Sequence, residues 1–234
     1  MGARDTHLGA PALDRWVTYA YYQHEVLRFL EVVGLVGAPP VTLEPRLALT
    51  AADVRHADAA LPASAQPLVA LHPGASDPRR RWPPASFAAV ATALADQGCR
   101  VAVVGHGPDD GRAAAEIAAT SPALDLVGSL DMKALVGVLA RARLVIANDS
   151  GPRHVAAALG TPTVGVYWVG NVINAGPLLR ARHRIGVTFR QTCPVCGVNQ
   201  ASIGTERCQH DDSFVADVTV EEVLRHSRDL LDGR

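Results

Sequence analysis

The sequence predicts an α/β fold: a Rossmann-like parallel sheet with helices on both faces, preceded by a short helical segment. Three observations carry the prediction. From Leu68 onward, short continuous apolar runs alternate with stretches of helical period, the pattern of strands buried on both faces and separated by covering helices. The apolar run Leu144-Val145-Ile146-Ala147 passes directly into the polar elbow Asn148-Asp149-Ser150-Gly151-Pro152-Arg153-His154, a buried strand turning into a helix. The roughly sixty residues before Leu68 are too few for a second domain of the same kind. The division expected is a partial N-terminal helical segment over 1–62 and a Rossmann-like ligand-binding domain over 63–234.

The elements follow in order. Residues 14–34 read as one helix, ending at Gly34 or Gly37 before the Pro39-Pro40 break. Residues 43–49 read as a strand and 51–60 as a helix. Trp16, Tyr19, Tyr21, Tyr22 and Phe29 gather much of the small aromatic content here, and core packing is the ordinary use of such residues. Then come strand 68–71, helix 85–97 with Phe87, Val90, Ala91 and Leu94 apolar, strand 100–104, and a helix from about 111 to 119. A short strand at 124–127 precedes helix 132–142, whose Leu135, Val138 and Leu139 share a face. Strand 144–147, the helix through 155–159 and strand 163–167 complete the alternation.

Bulk properties exclude several classes. The chain has 234 residues, is 48% hydrophobic and 19% charged, and carries a net charge of -1. That balance gives no electrostatic footprint for nucleic acid or for an acidic membrane surface. Residues 1–7 lead into no apolar signal core. The longest apolar stretch, 16–35, is broken by Glu25, Arg28 and Glu31, short of the ~18 apolar residues that span a bilayer. Four cysteines in a chain this long do not make a disulfide scaffold, so a cytoplasmic location is expected.

The chemistry is expected above the carboxyl ends of the strands, where such sheets bind ligands. Ser150 is a good N-cap residue and Pro152 suits a first helical turn. A helix starting there aims unpaired backbone N–H groups and a positive dipole end at an anion, a phosphate or diphosphate above all. Asp149, Ser150, Arg153 and His154 crowd the elbow with polarity that packing alone does not ask for. After the first strand, His72-Pro73-Gly74-Ala75-Ser76-Asp77-Pro78-Arg79-Arg80-Arg81-Trp82-Pro83 offers a glycine for close backbone approach and three arginines for phosphate charge. After the second, Gly105-His106-Gly107-Pro108-Asp109-Asp110-Gly111 comes near the dinucleotide fingerprint, but its third glycine falls one place late, which argues against a nicotinamide dehydrogenase. His72 and His106 stand within reach of the same cleft.

The blocks His72-Pro73-Gly74-Ala75, Arg81-Trp82-Pro83, Asp149-Ser150-Gly151-Pro152-x-His154 and Ala156-Ala157-Ala158-Leu159-Gly160 resemble the ADP-heptose:lipopolysaccharide heptosyltransferases, glycosyltransferase family nine. The resemblance runs from about Leu68 to Leu224, in the order of that family's C-terminal, donor-binding half. It implies the C-terminal half of a GT-B fold and a heptose transferred from ADP-heptose to the lipopolysaccharide inner core. It also implies an inverting transfer without a metal, and no cofactor beyond the donor substrate. By resemblance the donor is held by Asp149, Ser150, Gly151, Pro152 and His154, by Arg80 with Arg79 and Arg81 as rivals, by Gly74, Ala75 and Ser76, and by Leu130 near the adenine. The family's catalytic base is an aspartate of an N-terminal acceptor domain that this chain is not expected to supply. The implied partners are the nucleotide sugar, a lipopolysaccharide acceptor where an acceptor domain is present, and peripheral contact with the inner membrane.

Two further readings stand beside it. One is a non-catalytic nucleotide-sugar-binding module or a truncated remnant; the other is a sugar-nucleotide epimerase of GT-B architecture. Separately, Cys193-Pro194-Val195-Cys196 and Cys208-Gln209-His210 have zinc-ligand residue types without the second Cys-x-x-Cys or the His-x-x-x-His of the strongest zinc patterns. Reduced, packed thiols are the expected state, with Cys193, Cys196, Cys208 and His210 as the alternative zinc set. Cys99 is expected in the core.

Overall fold

The structure, a computed structural model, describes residues 14–201 and 204–233. The expectation of no signal core over 1–7 lies outside the described residues. In chain order the elements are α1 (Glu25–Gly34), α2 (Ala51–Ala60), β1 (Leu68–His72), a 3-10 turn (Pro78–Arg80), α3 (Pro84–Asp96), β2 (Arg100–Val103), α4 (Pro108–Thr120) and β3 (Leu124–Asp125). There follow α5 (Met132–Arg141), β4 (Leu144–Asn148), α6 (Gly151–Ala158), β5 (Thr163–Trp168), α7 (Val169–Ala175), β6 (His183–Thr188) and α8 (Val220–Leu231).

All five strand pairings are parallel, and the sheet order is β3-β2-β1-β4-β5-β6. Because side chains alternate along a strand, β1 feeds two cores. Val69 and Leu71 pack with Phe87, Val90, Leu94 and Ile117 on one face. Leu68 and Ala70 pack with Ala57, Val138, Leu139 and Ala156 on the other. The central strands β1 and β4 are buried at every residue, as a sheet covered on both sides requires. Cys99 is buried in the first of these cores. α2 closes tightly on α5 because Gly137 has no side chain; a Cβ there would collide with the Asp53 carbonyl and the Ala57 methyl.

Strand order reverses between β1 and β4, so the loops leaving their carboxyl ends part and open a crevice, the position where such sheets take ligands. Asn148, the last residue of β4, is fully buried and ties these loops together. Its Oδ1 accepts from the Trp82 N–H at 3.0 Å, and its Nδ2 donates to the Pro73 carbonyl at 2.6 Å. Trp82, also fully buried, meets Phe87 edge-on and donates its indole N–H to the Val218 carbonyl at 2.8 Å.

Four expectations, three in the first sixty residues and one at the start of α4, are corrected. The helix expected over 14–34 is confined to Glu25–Gly34, because His24 is extended and its ring accepts from the Val26 N–H, capping the helix there. The strand expected over 43–49 does not form; these residues run past α6, with a backbone bond from Leu47 N–H to the Ala158 carbonyl. The aromatics of this segment are not core: Trp16 is 62% and Phe29 64% exposed. α4 starts at Pro108, three residues early, since proline suits the first turn and Gly107 takes φ 89° before it. The edge strand β6 and the helices α7 and α8 are added to the predicted order. No helix among the described residues is long and apolar enough to cross a membrane.

Candidate functional site

A cleft of about 880 Å³ lies over the carboxyl ends of β1, β2, β4 and β5. Its floor is the elbow. Ser150 is the extended N-cap residue of α6 and Pro152 is in the first turn, with no side chain capping the helix. The first-turn amides therefore face the cleft with their dipole end positive. The Ser150 hydroxyl is engaged elsewhere, 3.0 Å from His72 Nδ1.

Asp149 organises the cationic side. Its buried carboxylate receives Arg80 at 3.2 Å on Oδ2 and His154 Nε2 at 3.1 Å on Oδ1. Arg80 also donates to Ser76 Oγ at 2.6 Å, so its guanidinium is fixed at the cleft wall. The adjacent arginines separate cleanly. Arg81 faces the cleft and joins the Ala75 carbonyl to Asp109 on α4. Arg79 turns away, forked onto Asp77, bonded to Gln200 and lying over the Phe214 ring. Asp77 and Arg79 form a closed pair: burial works against ionising Asp77, but hydrogen bonds from Arg79 outweigh it and hold the carboxyl below its usual range.

The third component joins His72 and His106, expected near the cleft, to Asp110, which was not expected there. Asp110 accepts the His106 N–H at 2.9 Å and lies 3.3 Å from His72 Nε2, whose other nitrogen meets Ser150. Burial raises the carboxyl of Asp110, yet the His72 and His106 hydrogen bonds and the Arg81 charge leave it below the ordinary value. An ionised Asp110 accepts a hydrogen bond from the Nε2–H of His72, so Nδ1 accepts from the Ser150 hydroxyl and the serine lone pairs are left for the cleft. Asp110 is wedged between two glycines: a Cβ on either Gly74 or Gly105 would collide with its carboxylate. Gly74 thus makes room for Asp110. The early start of α4 places Asp110 there.

Of the sequence-predicted set, Asp149, Ser150, Gly151, His154, Arg80, Ala75 and Ser76 line one cleft. Pro152 supports the turn, and Leu130 packs against the core layer of Ala70 and Val138; neither lines it. Arg153 is buried, over the Tyr167 ring and bonded to His154 Nδ1 at 2.7 Å. The far wall was not foreseen: Tyr19, Tyr21 and Glu25 from the approach to α1, with Asn171 and Asn174 of α7. Asn174 Nδ2 donates to the Tyr21 carbonyl and His24 Nε2 meets the Gly176 carbonyl, which pins that segment beside the cleft. The spacing of these residues carries no local motif; Asn171 and Asn174 in the otherwise apolar Val169–Ala175 are the one local signal that could have marked it. Cys193, Cys196, Cys208 and His210 also come together, in the loop between β6 and α8. The Cys193 thiol is held below its usual value by the amide of Cys196.

The family model described as glycosyltransferase family 9 (heptosyltransferase) matches residues 2–200. Over 174 residues the chain is 32% identical to lipopolysaccharide heptosyltransferase 2 of Escherichia coli and 28% identical to that of Salmonella typhimurium. Each match covers 72% of this chain and 48% of the relative; the chain spans about half the length of the curated relatives it matches. Among solved structures, that of E. coli ADP-heptose lipopolysaccharide heptosyltransferase II superposes with a TM-score of 0.64 at 26% identity, over 82% of this chain and 55% of that one. A family 9 glycosyl transferase from Veillonella parvula gives 0.72 at 20% identity, over 96% and 63% respectively, a likeness of fold.

Proposed function

The chain belongs to glycosyltransferase family 9, the heptosyltransferases, and from that premise we propose that it supplies the donor-binding half of an enzyme moving heptose from ADP-heptose to the lipopolysaccharide inner core. On this reading residues 63–234 are the nucleotide-sugar-binding domain and 1–62 the segment leading into it. The work is done at the cytoplasmic side of the inner membrane, where the acceptor is presented. The observation that carries the proposal is the elbow at the strand-order reversal: α6 amides, Ser150 and an Arg80–Asp149–His154 network converging on one cleft.

Breaking the bond from the sugar to the diphosphate leaves negative charge on the departing group. The N-terminal amides of α6 and the guanidinium of Arg80 are fixed before reaction, so they stabilise that charge as it develops without reorganising. Asp149 positions Arg80 and His154 rather than meeting phosphate itself. The Ser150 lone pairs, oriented by His72, accept from a sugar hydroxyl. The base that takes the proton of the attacking hydroxyl belongs to the opposite face of an inverting displacement, and the acceptor half provides it.

Asp149→Ala and His154→Ala test this. Both should lose nucleotide-sugar binding while keeping the far-ultraviolet dichroism of the parent; unchanged affinity in both sinks the proposal. The alternative reading is a nucleotide-sugar-binding module without transfer. It shares the same cleft, and an assay of heptose transfer to a lipopolysaccharide acceptor separates the two.

A further inference from the structure

Between β6 and α8, residues 189–219 run without a helix or strand among the described residues; their one ladder contact is the bridge from Thr192 to Asn199. A loop of that length without secondary structure is uncommon in a compact domain and is usually there for a function; here Val215 and Val218 anchor only its far end in the core. Inside it, Cys193-Pro194-Val195-Cys196-Gly197 folds into a tight knuckle. The Cys193 N–H donates to the Val198 carbonyl at 2.9 Å, the Gly197 N–H returns to the Cys193 carbonyl at 2.9 Å, and Gly197 takes φ 73°, a conformation suited to glycine. The amides of Val195 and Cys196 face the Cys193 sulfur, and the Val198 amide faces that of Cys196. Cys208 and His210 close the group from the returning strand of the loop.

The ligand atoms of Cys193, Cys196, Cys208 and His210 all lie within 4.8 Å of one another. A tetrahedron of zinc–sulfur bonds about 2.3 Å long has edges of roughly 3.8 Å, so closing this one shortens its edges by at most about 1 Å. A second observation points the same way. His210 Nδ1 is shut off from solvent with no hydrogen-bond partner, an orphan that a metal would satisfy. Three sulfurs and one imidazole nitrogen, with no open position, suit a structural zinc ion.

We propose that Cys193, Cys196, Cys208 and His210 bind one Zn²⁺ that fastens the 189–214 loop onto the arginine turn. Binding releases the thiol protons to solvent and involves no electron transfer. The fastened loop reaches the turn at several points. Gln200 Oε1 accepts from Arg79 at 2.8 Å, the Phe214 N–H donates to the Arg79 carbonyl at 2.7 Å, and Ser213 Oγ donates to the Arg81 carbonyl at 2.6 Å. The site stands apart from the donor cleft, so it does not depend on the proposed substrate.

The test is metal analysis of the full chain, purified without chelator or affinity metal, by inductively coupled plasma mass spectrometry with zinc and iron counted together. The expected result is about one zinc per chain, retained in Cys99→Ala and lost in the Cys196→Ser/Cys208→Ser double variant. Cobalt added to chelator-stripped parent should give thiolate charge-transfer absorption. Chelation should also raise tryptic cleavage at Arg190 and Arg207 several-fold. Parent chain lacking both zinc and the cobalt spectrum, iron in place of zinc, or zinc retained by the double variant each overturns the proposal. The parent measurements decide the matter even where a variant fails to fold.

Discussion

Replacing Asn148 with alanine should destabilise the domain far more than the loss of one small polar side chain suggests. Asn148 is fully buried, accepting from the Trp82 N–H at 3.0 Å and donating to the Pro73 carbonyl at 2.6 Å. Truncation strands a donor and an acceptor at once, each costing about 1–3 kcal/mol in a site that water does not reach. The sum is about 2–6 kcal/mol, a large share of the ~5–15 kcal/mol that holds a domain folded. With a urea dependence of about 2–3 kcal/mol/M, the unfolding midpoint should fall by about 1–3 M at unchanged slope. Asn148→Asp sharpens the test. It keeps the acceptor for Trp82 but turns a carboxylate oxygen on the Pro73 carbonyl, so its folded pKa is raised. Its deficit relative to the parent should therefore shrink as pH falls toward 4, when the protonated oxygen can donate. Asn148→Ala within about 0.5 kcal/mol of the parent, a shift ordinary for a surface site, would refute the idea that this side chain ties the two loops.

Other expectations follow from the same contacts. Arg80→Ala should weaken ADP binding by about 10–100-fold, the worth of one charge-assisted contact, while Arg79→Ala, aimed at Asp77 and Gln200, should change it far less; calorimetric titration that finds equal losses would break the assignment of the arginines. His183, bonded to Thr163, is pushed down to about 4, by burial first and by neighbouring arginines. Above pH 6.5 its ring is neutral folded and unfolded; below that the unfolded chain takes up the proton while the folded chain does not until about 4. Stability should thus fall between pH 6.5 and 4 and then level, by about 2 kcal/mol after allowance for solvent screening, and His183→Gln should flatten that difference in urea titrations run across the range. Gly137→Val should lower thermal stability by about 1–3 kcal/mol through overpacking at the α2–α5 crossing, measured by calorimetry, with Gly137→Ala milder.

Much of the sheet was legible because β1, β2 and β4 centre on short runs of valine, leucine, isoleucine and alanine, and β5 on Val164, Val166 and Tyr167, all buried within the sheet. β6 was not, since His183-Arg184-Ile185-Gly186 at a sheet edge breaks the apolar run; Gly186 is there to admit Val218, into which a Cβ would press. The first segment misled for a related reason: its aromatics suggest one long helix, but the His24 N-cap delays the start of the helix to Glu25 and the rings stay exposed. The elbow announced itself through an unusual density of polar groups after a buried strand. Asn148 and Asp110 did not, because their roles lie in distant partners: Trp82 and Pro73 for one, His72 and two glycines for the other. The cysteine group was half visible, as ligand types at workable spacing; only the fold of the loop brings His210 beside the three sulfurs.

The most direct measurement is calorimetric titration of the purified chain with ADP-heptose, with ADP and a UDP-hexose as controls. Saturable binding of ADP-heptose, weaker binding of ADP and none of the UDP-sugar is the predicted result. A well-folded sample that binds none of the three, or binds the UDP-sugar as well as ADP-heptose, would contradict the assignment of this cleft as an ADP-heptose site.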